Sequence, residues 1–148
     1  MIVEFVSVAE ADFEALVELR LQAMRPSLDR VGRFDPERSR ARFRDSFFPE
    51  HIHTIFLDGA QVGFYTVIPT SEALKLEHLY ISPSAQGQGV GGFVLSHIFT
   101  IADEKSLPVR VGALKGSDSN HFYLRHGFIK VDEAEWDIYY ERLPNPQA

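Results

Sequence analysis

The sequence predicts an α/β fold: a mixed, mostly antiparallel central sheet of about seven strands with helices on both faces. Three observations predict it. Apolar residues recur at alternate positions in some stretches and at every third or fourth position in others, the spacings of strands and helices. The stretches follow one another in the order β-α-α-β-β-β-α-β-α-β-β. Glycine, proline and Asp-Gly signals punctuate them without repeats, low-complexity blocks or a linker, so the 148 residues read as one domain, 1–148.

Each element has its own signal. Residues 2–8 alternate and read as a strand. Asp12 is placed to cap a helix running to about Met24, with Phe13, Leu16, Val17, Leu19 and Leu21 on its apolar positions and Pro26 interrupting it. Asp35-Pro36-Glu37 starts a second helix, an N-cap followed by proline at the first helical position, which reaches about Phe47. The β-rich runs 53–57 and 61–68 flank Asp58-Gly59-Ala60 and read as a hairpin. Residues 74–81 form another strand, ended by Ser82-Pro83; 90–104 form a helix and 107–114 a strand. Residues 117–126 form a short helix stopped by Gly127, and 128–132 with 136–142 complete an antiparallel pair. The tail, 144–148, reads as loose.

Composition narrows the function. Hydrophobic residues make up 45% and charged residues 24%, an ordinary globular balance. The absence of cysteine excludes disulfides, Cys-ligated zinc and thiol catalysis, and suits a reducing cytosol. The first ten residues lack the basic start of a secretory signal, and the longest apolar stretch, 90–102, is too short to span a membrane. A soluble, cytoplasmic protein with no membrane partner is therefore expected. The net charge of −6 argues against nucleic acid as a partner. The charge is uneven: residues 20–44 carry eight arginines against Asp29, Asp35 and Glu37, net +5, which leaves −11 for the rest. Such a segment is either a solvated helix face or a docking surface for an anionic group. No metal site is expected: His51 and His53 lie two apart with no carboxylates clustered around them.

Residues 86–92 read Q-G-Q-G-V-G-G, directly before an apolar helix. A Walker-type loop needs Lys-Ser or Lys-Thr at its end, and none follows. A dinucleotide fingerprint matches Gly87-Gln88-Gly89-Val90-Gly91-Gly92 as a string, but that motif opens a domain and wants an acid at the end of the next strand. Here it follows a run of three successive strands, and the next, L-P-V-R-V-G-A-L, carries no acid. The third pattern, Q/R-x-x-G-x-G/A between a strand and a helix, fits its surroundings. Successive N–H groups at a helix N-terminus converge on an anion, and glycines let the backbone approach phosphates closely.

With L-E-H-L-Y-I-S-P-S-A-Q before this loop and S-N-H-F-Y-L-R-H-G-F after it, the sequence resembles the GNAT superfamily of N-acetyltransferases over residues 2–143. The resemblance implies acetyl-CoA as acyl donor, a primary amine as acceptor and direct attack in a ternary complex. It assigns the pyrophosphate to Gln86, Gly87, Gln88, Gly89, Val90, Gly91 and Gly92. The backbone of Leu79, Tyr80 and Ile81 is assigned to the pantetheine arm and thioester, with Leu79 N–H as donor to the thioester oxygen. Tyr123 is the candidate general acid for the departing thiolate, since a phenol pKa of about 10 lies near that of a thiol. Glu77 is the candidate general base; it shares a strand face with Lys75, Leu79 and Ile81, while His78 points the other way and reads as a packed polar residue.

Two positions depart from the family pattern. The fifth-strand base position falls near Val111 or Gly112, which cannot titrate. The asparagine that holds the cofactor arm falls at Gly116 or Ser117, leaving Asn120 as its substitute. Trp136, Tyr139 and Tyr140 on the last strand suit core packing or a homodimer contact better than ligand stacking. In the family the acceptor channel is built from the first two helices and the last hairpin. The arginine-rich segment then borders a small-molecule acceptor carrying a carboxylate or phosphate. Two other readings remain: an inactive acyl-CoA-binding sensor or interaction module, and an enzyme acetylating protein N-termini or lysines.

Overall fold

The computed structural model describes residues 1–30 and 32–146. Its strands are β1 (Val3–Ser7), β2 (Ile52–Leu57), β3 (Ala60–Pro69), β4 (Leu74–Ile81), β5 (Val109–Leu114), β6 (Ile129–Glu133) and β7 (Asp137–Arg142). Its α-helices are α1 (Phe13–Arg30), α2 (Pro36–Asp45), α3 (Val90–Glu104) and α4 (Ser119–Arg125). Short 3-10 turns aside, this is the predicted order. The strands form one sheet, β1-β2-β3-β4-β5-β7-β6. The pairs β1–β2, β2–β3, β5–β7 and β6–β7 are antiparallel, and β4–β5 is parallel. Contacts divide the chain into two compact units: Met1–Thr66 with His78–Val90, and Val67–Glu77 with the chain from Gly91 on.

In the first unit, two helix boundaries differ from expectation. Asp12 does not cap α1; its Oδ2 accepts from the Ala9 N–H at 2.8 Å, closing the 3-10 turn ahead of the helix. Pro26 does not interrupt α1, which runs on to Arg30. Proline forfeits one backbone bond, but the turn beyond it is tied by Arg25 to Asp29 at 3.4 Å and by Arg30 to Ser27 at 3.2 Å. The stop is Gly32, at φ +69°. There Gly32 N–H donates to the Asp29 carbonyl at 3.1 Å and Arg33 N–H to the Leu28 carbonyl at 2.8 Å, the bonds of a left-handed C-cap. The start of α2 is as predicted, with Asp35 accepting from Arg38 N–H at 3.1 Å and Pro36 at the first position. This helix ends at Asp45, where Ser46 Oγ donates to the Arg42 and Phe43 carbonyls at 3.3 Å. Asp58 and Gly59, at φ +50° and +86°, make the two-residue hairpin turn between Leu57 and Ala60.

Aromatic packing fills this unit. Phe43 stacks on Phe13 at 5.5 Å and meets Phe64 at 5.4 Å, while Leu16, Phe43 and Phe64 are fully buried. Each such side chain contributes about 1.5–3 kcal/mol by leaving water.

The second unit buries Val94, Leu95 and Ile98 of α3, Val109, Val111 and Ala113 of β5, and Tyr140 of β7. Gly127, at φ +90°, stops α4 as predicted, with Phe128 N–H donating to the Tyr123 carbonyl at 3.1 Å. Arg142 Nη1 pairs with Asp103 at 2.6 Å, and Asn145 N–H donates to the same carboxylate at 2.9 Å. Residue 145 of the expected loose tail is thereby tied to α3; residues 147 and 148 lie outside the described residues. Among the described residues no helix is long and apolar enough to cross a membrane.

Candidate functional site

The first unit carries the end of β4 and the glycine loop. Ser82 N–H donates to the Val62 carbonyl of β3 at 2.7 Å. Backbone groups alternate along a strand, so Tyr80 shares that side, while the N–H and C=O of Leu79 and Ile81 turn away from β3. The β4–β5 ladder pairs Leu74, Lys75 and Leu76 with Val109, Arg110 and Val111, so Leu79 lies beyond it. The Ile81 carbonyl accepts from Gln86 Nε2 at 2.9 Å, which clamps the loop to the strand end. Gln88 Nε2 donates to the Ser84 carbonyl at 3.3 Å. Gly87 and Gly89 have φ of +78° and +83°, with open space where a Cβ would stand. These two glycines meet a backbone demand that other residues rarely satisfy. A groove of about 550 Å³ borders the same link, between Gln22, Arg25 and Asp29 of α1 and Ser82 to Ser84.

Gly91 and Gly92 answer a different demand, one the string alone does not distinguish. Both are helical and belong to the second unit. A Cβ on Gly91 would stand 2.9 Å from Phe122 Cζ, and one on Gly92 3.1 Å from His126 Cε1. Their missing side chains let α3 pack on α4. Their N–H groups, with that of Val90, remain among the first four of α3, which lack intrahelical acceptors.

Tyr123 of α4 is 5% exposed. Its ring meets Phe128 edge-on at 5.2 Å and lies 6.2 Å from Tyr140. Asn120, one turn earlier, spends its amide protons within the second unit, on the Leu114 and Ser117 carbonyls at 2.9 Å each. Its Oδ1 accepts from Tyr140 O–H at 2.7 Å. The side chain therefore clips β5 to α4 and retains one acceptor lone pair.

Along β4 the predicted parity is observed. Lys75 and Glu77 are exposed, while Leu74, Leu76 and His78 are buried. The Glu77 side chain is 31% exposed, and its Oε2 lies 3.6 Å from Lys75 Nζ. Strand parity already puts Lys75 and Glu77 on one face; the ion pair between them is what the structure adds. His78 Nδ1 lies 2.8 Å from Thr66 Oγ1, and its Nε2 3.2 Å from Ser46 Oγ. Burial, aided by the Arg20 charge, pushes the His78 imidazole down to about 3.

The arginine-rich segment resolves into separate environments. Arg25, Arg40 and Arg44 pair with Asp29, Glu14 and Glu10 in exposed ion pairs. Arg20 is buried, donating to the Ser39 carbonyl, to Ser39 Oγ at 2.8 Å and to Tyr80 Oη at 3.4 Å. The aromatics in and just before β7 also separate: Tyr140 is 3% exposed, whereas Trp136, which precedes the strand, and Tyr139 are each 40% exposed. No group of three or more His, Asp or Glu able to hold a metal occurs among the described residues.

Comparison with known proteins adds the family. The model of the acetyltransferase (GNAT) domain matches residues 49–130. Among solved structures, the chain is similar to the PaiA N-acetyltransferase of Thermoplasma acidophilum in complex with coenzyme A. That match has 19% identity and a TM-score of 0.78, covering 97% of this chain and 99% of that one. It is also similar to an acetyltransferase of Thermus thermophilus, at 18% identity and TM-score 0.74, with 97% of each chain covered. A third is the ribosomal-protein-S18-alanine N-acetyltransferase of Escherichia coli, at 15% identity and TM-score 0.71, covering 99% of this chain and 96% of that one. No curated protein matches the chain.

Proposed function

Because the chain belongs to the acetyltransferase (GNAT) domain family, we propose that it transfers an acetyl group from acetyl-CoA to a primary amine, by direct attack in a ternary complex. The observation that carries this reading is the backbone of residues 86–92: two left-handed glycines, Gly87 and Gly89, lead into the first turn of α3. N–H groups of a left-handed turn and of a helix N-terminus favour an anion, here the pyrophosphate. The Leu79 N–H, on the side of β4 away from β3, is the donor for a carbonyl oxygen that gains negative charge.

Bound acetyl-CoA supplies an acyl thioester open to attack by a neutral amine. Glu77 takes the proton that the amine must lose as the C–N bond forms. Tyr123 gives its phenolic proton to the thiolate as the C–S bond breaks, and regains one from solvent. Asn120 retains only one Oδ1 lone pair for an N–H of the pantetheine arm. An anionic group on the acceptor would meet Arg25 at the groove beside Ser82, where Asp29 already pairs with it. The acceptor is therefore defined by its amine alone.

The test is thiol release from acetyl-CoA against pooled amines, with Tyr123→Phe beside the parent. At least one pool should accelerate release, and Tyr123→Phe should lose on the order of 100-fold in kcat while binding acetyl-CoA as before. Binding without release in any pool would favour an inactive acyl-CoA-binding module. An unimpaired Tyr123→Phe would remove that residue from the mechanism.

A further inference from the structure

Gly63 of β3 stands where no side chain fits. A Cβ there would overlap the Tyr80 carbonyl oxygen and lie 3.1 Å from the Tyr80 carbonyl carbon and 3.2 Å from Ile81 Cα. All three atoms are backbone of β4, so nothing can swing aside to admit it. Gly63 does not have a positive φ, so the demand is for space alone. The strand is irregular at this point. Ile55 of β2 pairs with Gly63 and Phe56 with Gln61, which leaves Val62 as an extra, bulged residue. A bulge bends the strand that carries it. The Val62 carbonyl accepts from Ser82 N–H at 2.7 Å, and the Ile81 carbonyl accepts from Gln86 Nε2 at 2.9 Å. Both bonds hold the end of β4 against this bend, all within the first unit.

The direction of the contact fixes a second group. Gly63 pairs with Ile55 and lies two residues from Tyr65, so its side-chain position is on their face of the sheet. The Tyr80 ring packs on Phe64 at 5.3 Å and belongs to the opposite face. In a flat ladder a carbonyl lies in the plane of the sheet, aimed at the next strand. The Tyr80 carbonyl oxygen occupies the side-chain position of Gly63, so it leans out of that plane toward the face of Ile55 and Tyr65. The peptide is planar and trans, so the Ile81 N–H points the opposite way, away from β3 and toward the face of Phe64 and Tyr80.

We propose that Gly63 is a positioning residue for the acyl donor: the space it leaves sets the tilt of the Tyr80–Ile81 peptide, and that tilt aims the Ile81 N–H at a carbonyl of the pantetheine arm. This deepens the acetyl-transfer reading and rests on it. A side chain at 63 pushes the Tyr80 carbonyl back and turns the Ile81 N–H out of line, because the two belong to one rigid plane. The loop 86–92 keeps its own backbone. The loss therefore falls on the arm and spares the pyrophosphate.

Calorimetric titration of CoA and of ADP, which carries the pyrophosphate without the arm, separates the two. Gly63→Ala should weaken CoA by about tenfold, the scale of one lost hydrogen bond, and leave ADP within about twofold. The KM for acetyl-CoA should rise in step with the CoA Kd. Gly59→Ala, at φ +86° in the β2–β3 turn, is the control for lost stability and should leave both ligands unmoved. CoA and ADP weakened equally in Gly63→Ala, or CoA weakened as much in Gly59→Ala, would make Gly63 a folding residue only and overturn the proposal. So would a folded Gly63→Ala that binds CoA like the parent. If Gly63→Ala does not fold, amide exchange in the parent decides: CoA should slow exchange of the Ile81 N–H by about tenfold and ADP should not, and exchange indifferent to CoA overturns the proposal. The CoA pattern without thiol release from acetyl-CoA in any amine pool sinks the transferase reading and leaves the positioning role standing. Thiol release with CoA binding unmoved in Gly63→Ala does the reverse.

Discussion

His78 lies on the buried face of β4, between Thr66 and Ser46, with the Phe43 ring 5.1 Å away. Its pKa, pushed down to about 3 from an ordinary 6.5, couples stability to pH. Between those values the unfolded chain binds a proton that the folded chain refuses, so stability is lost as pH falls below 6.5. The loss approaches about 1.4 kcal/mol per pH unit, or on the order of 2 kcal/mol between pH 6.5 and 5, where carboxylates are still mostly charged. Urea unfolding at pH 7, 6 and 5 should show this decline, and His78→Gln should flatten it; an equal slope in both proteins would exclude His78 as its source. Strand parity alone identified the face of this histidine and of Glu77, because period-two alternation is local. The partners were not legible. Which carbonyls take the Asn120 protons, or that the Lys75 ammonium turns toward Glu77 on the face they share, depends on side-chain direction and on what the chain folds nearby.

Element boundaries were legible where turn chemistry acts at both ends. For β4 and α3 the expected and observed spans coincide, since Ser82-Pro83 ends the one and the glycine loop opens the other. For α1 two signals compete, Pro26 and Gly32. Pro26 removes the N–H that would bond the Gln22 carbonyl, but it leaves the φ of a helix intact, whereas Gly32 adopts a left-handed φ that ends one. The two positions should therefore respond oppositely. Pro26→Ala restores a backbone donor and should stabilise by about 1–2 kcal/mol, the helix gain being offset in part by a more flexible unfolded chain. Gly32→Ala puts a Cβ at φ +69° and should destabilise by about 1 kcal/mol. Urea midpoints measure both; a destabilising Pro26→Ala would mean that the proline contributes more at its surface than the helix loses.

At the scale of the whole chain, the order of elements was legible but the division into two units was not. It falls inside β3 between Thr66 and Val67, inside β4 between Glu77 and His78, and in the first turn of α3 between Val90 and Gly91. No linker composition can mark a division that runs through regular elements. A ligand that binds only the folded chain stabilises it by about 2.7 kcal/mol at a hundredfold excess over Kd. For a chain of this length that raises Tm by roughly 5–10 °C. Acetyl-CoA should therefore raise the melting temperature by several degrees, with a single transition if both units unfold together. Gly89→Val places a β-branched residue at φ +83° and should abolish most of that rise, whatever it does to the unliganded Tm. The readout is the difference with and without acetyl-CoA in each protein. A parent with no shift at millimolar acetyl-CoA would leave the donor unbound and the acetyl-transfer reading without its first step. An equal shift in Gly89→Val would mean that the donor binds without the left-handed turn at Gly89, and the phosphate contacts would then have to come from the α3 N-terminus alone.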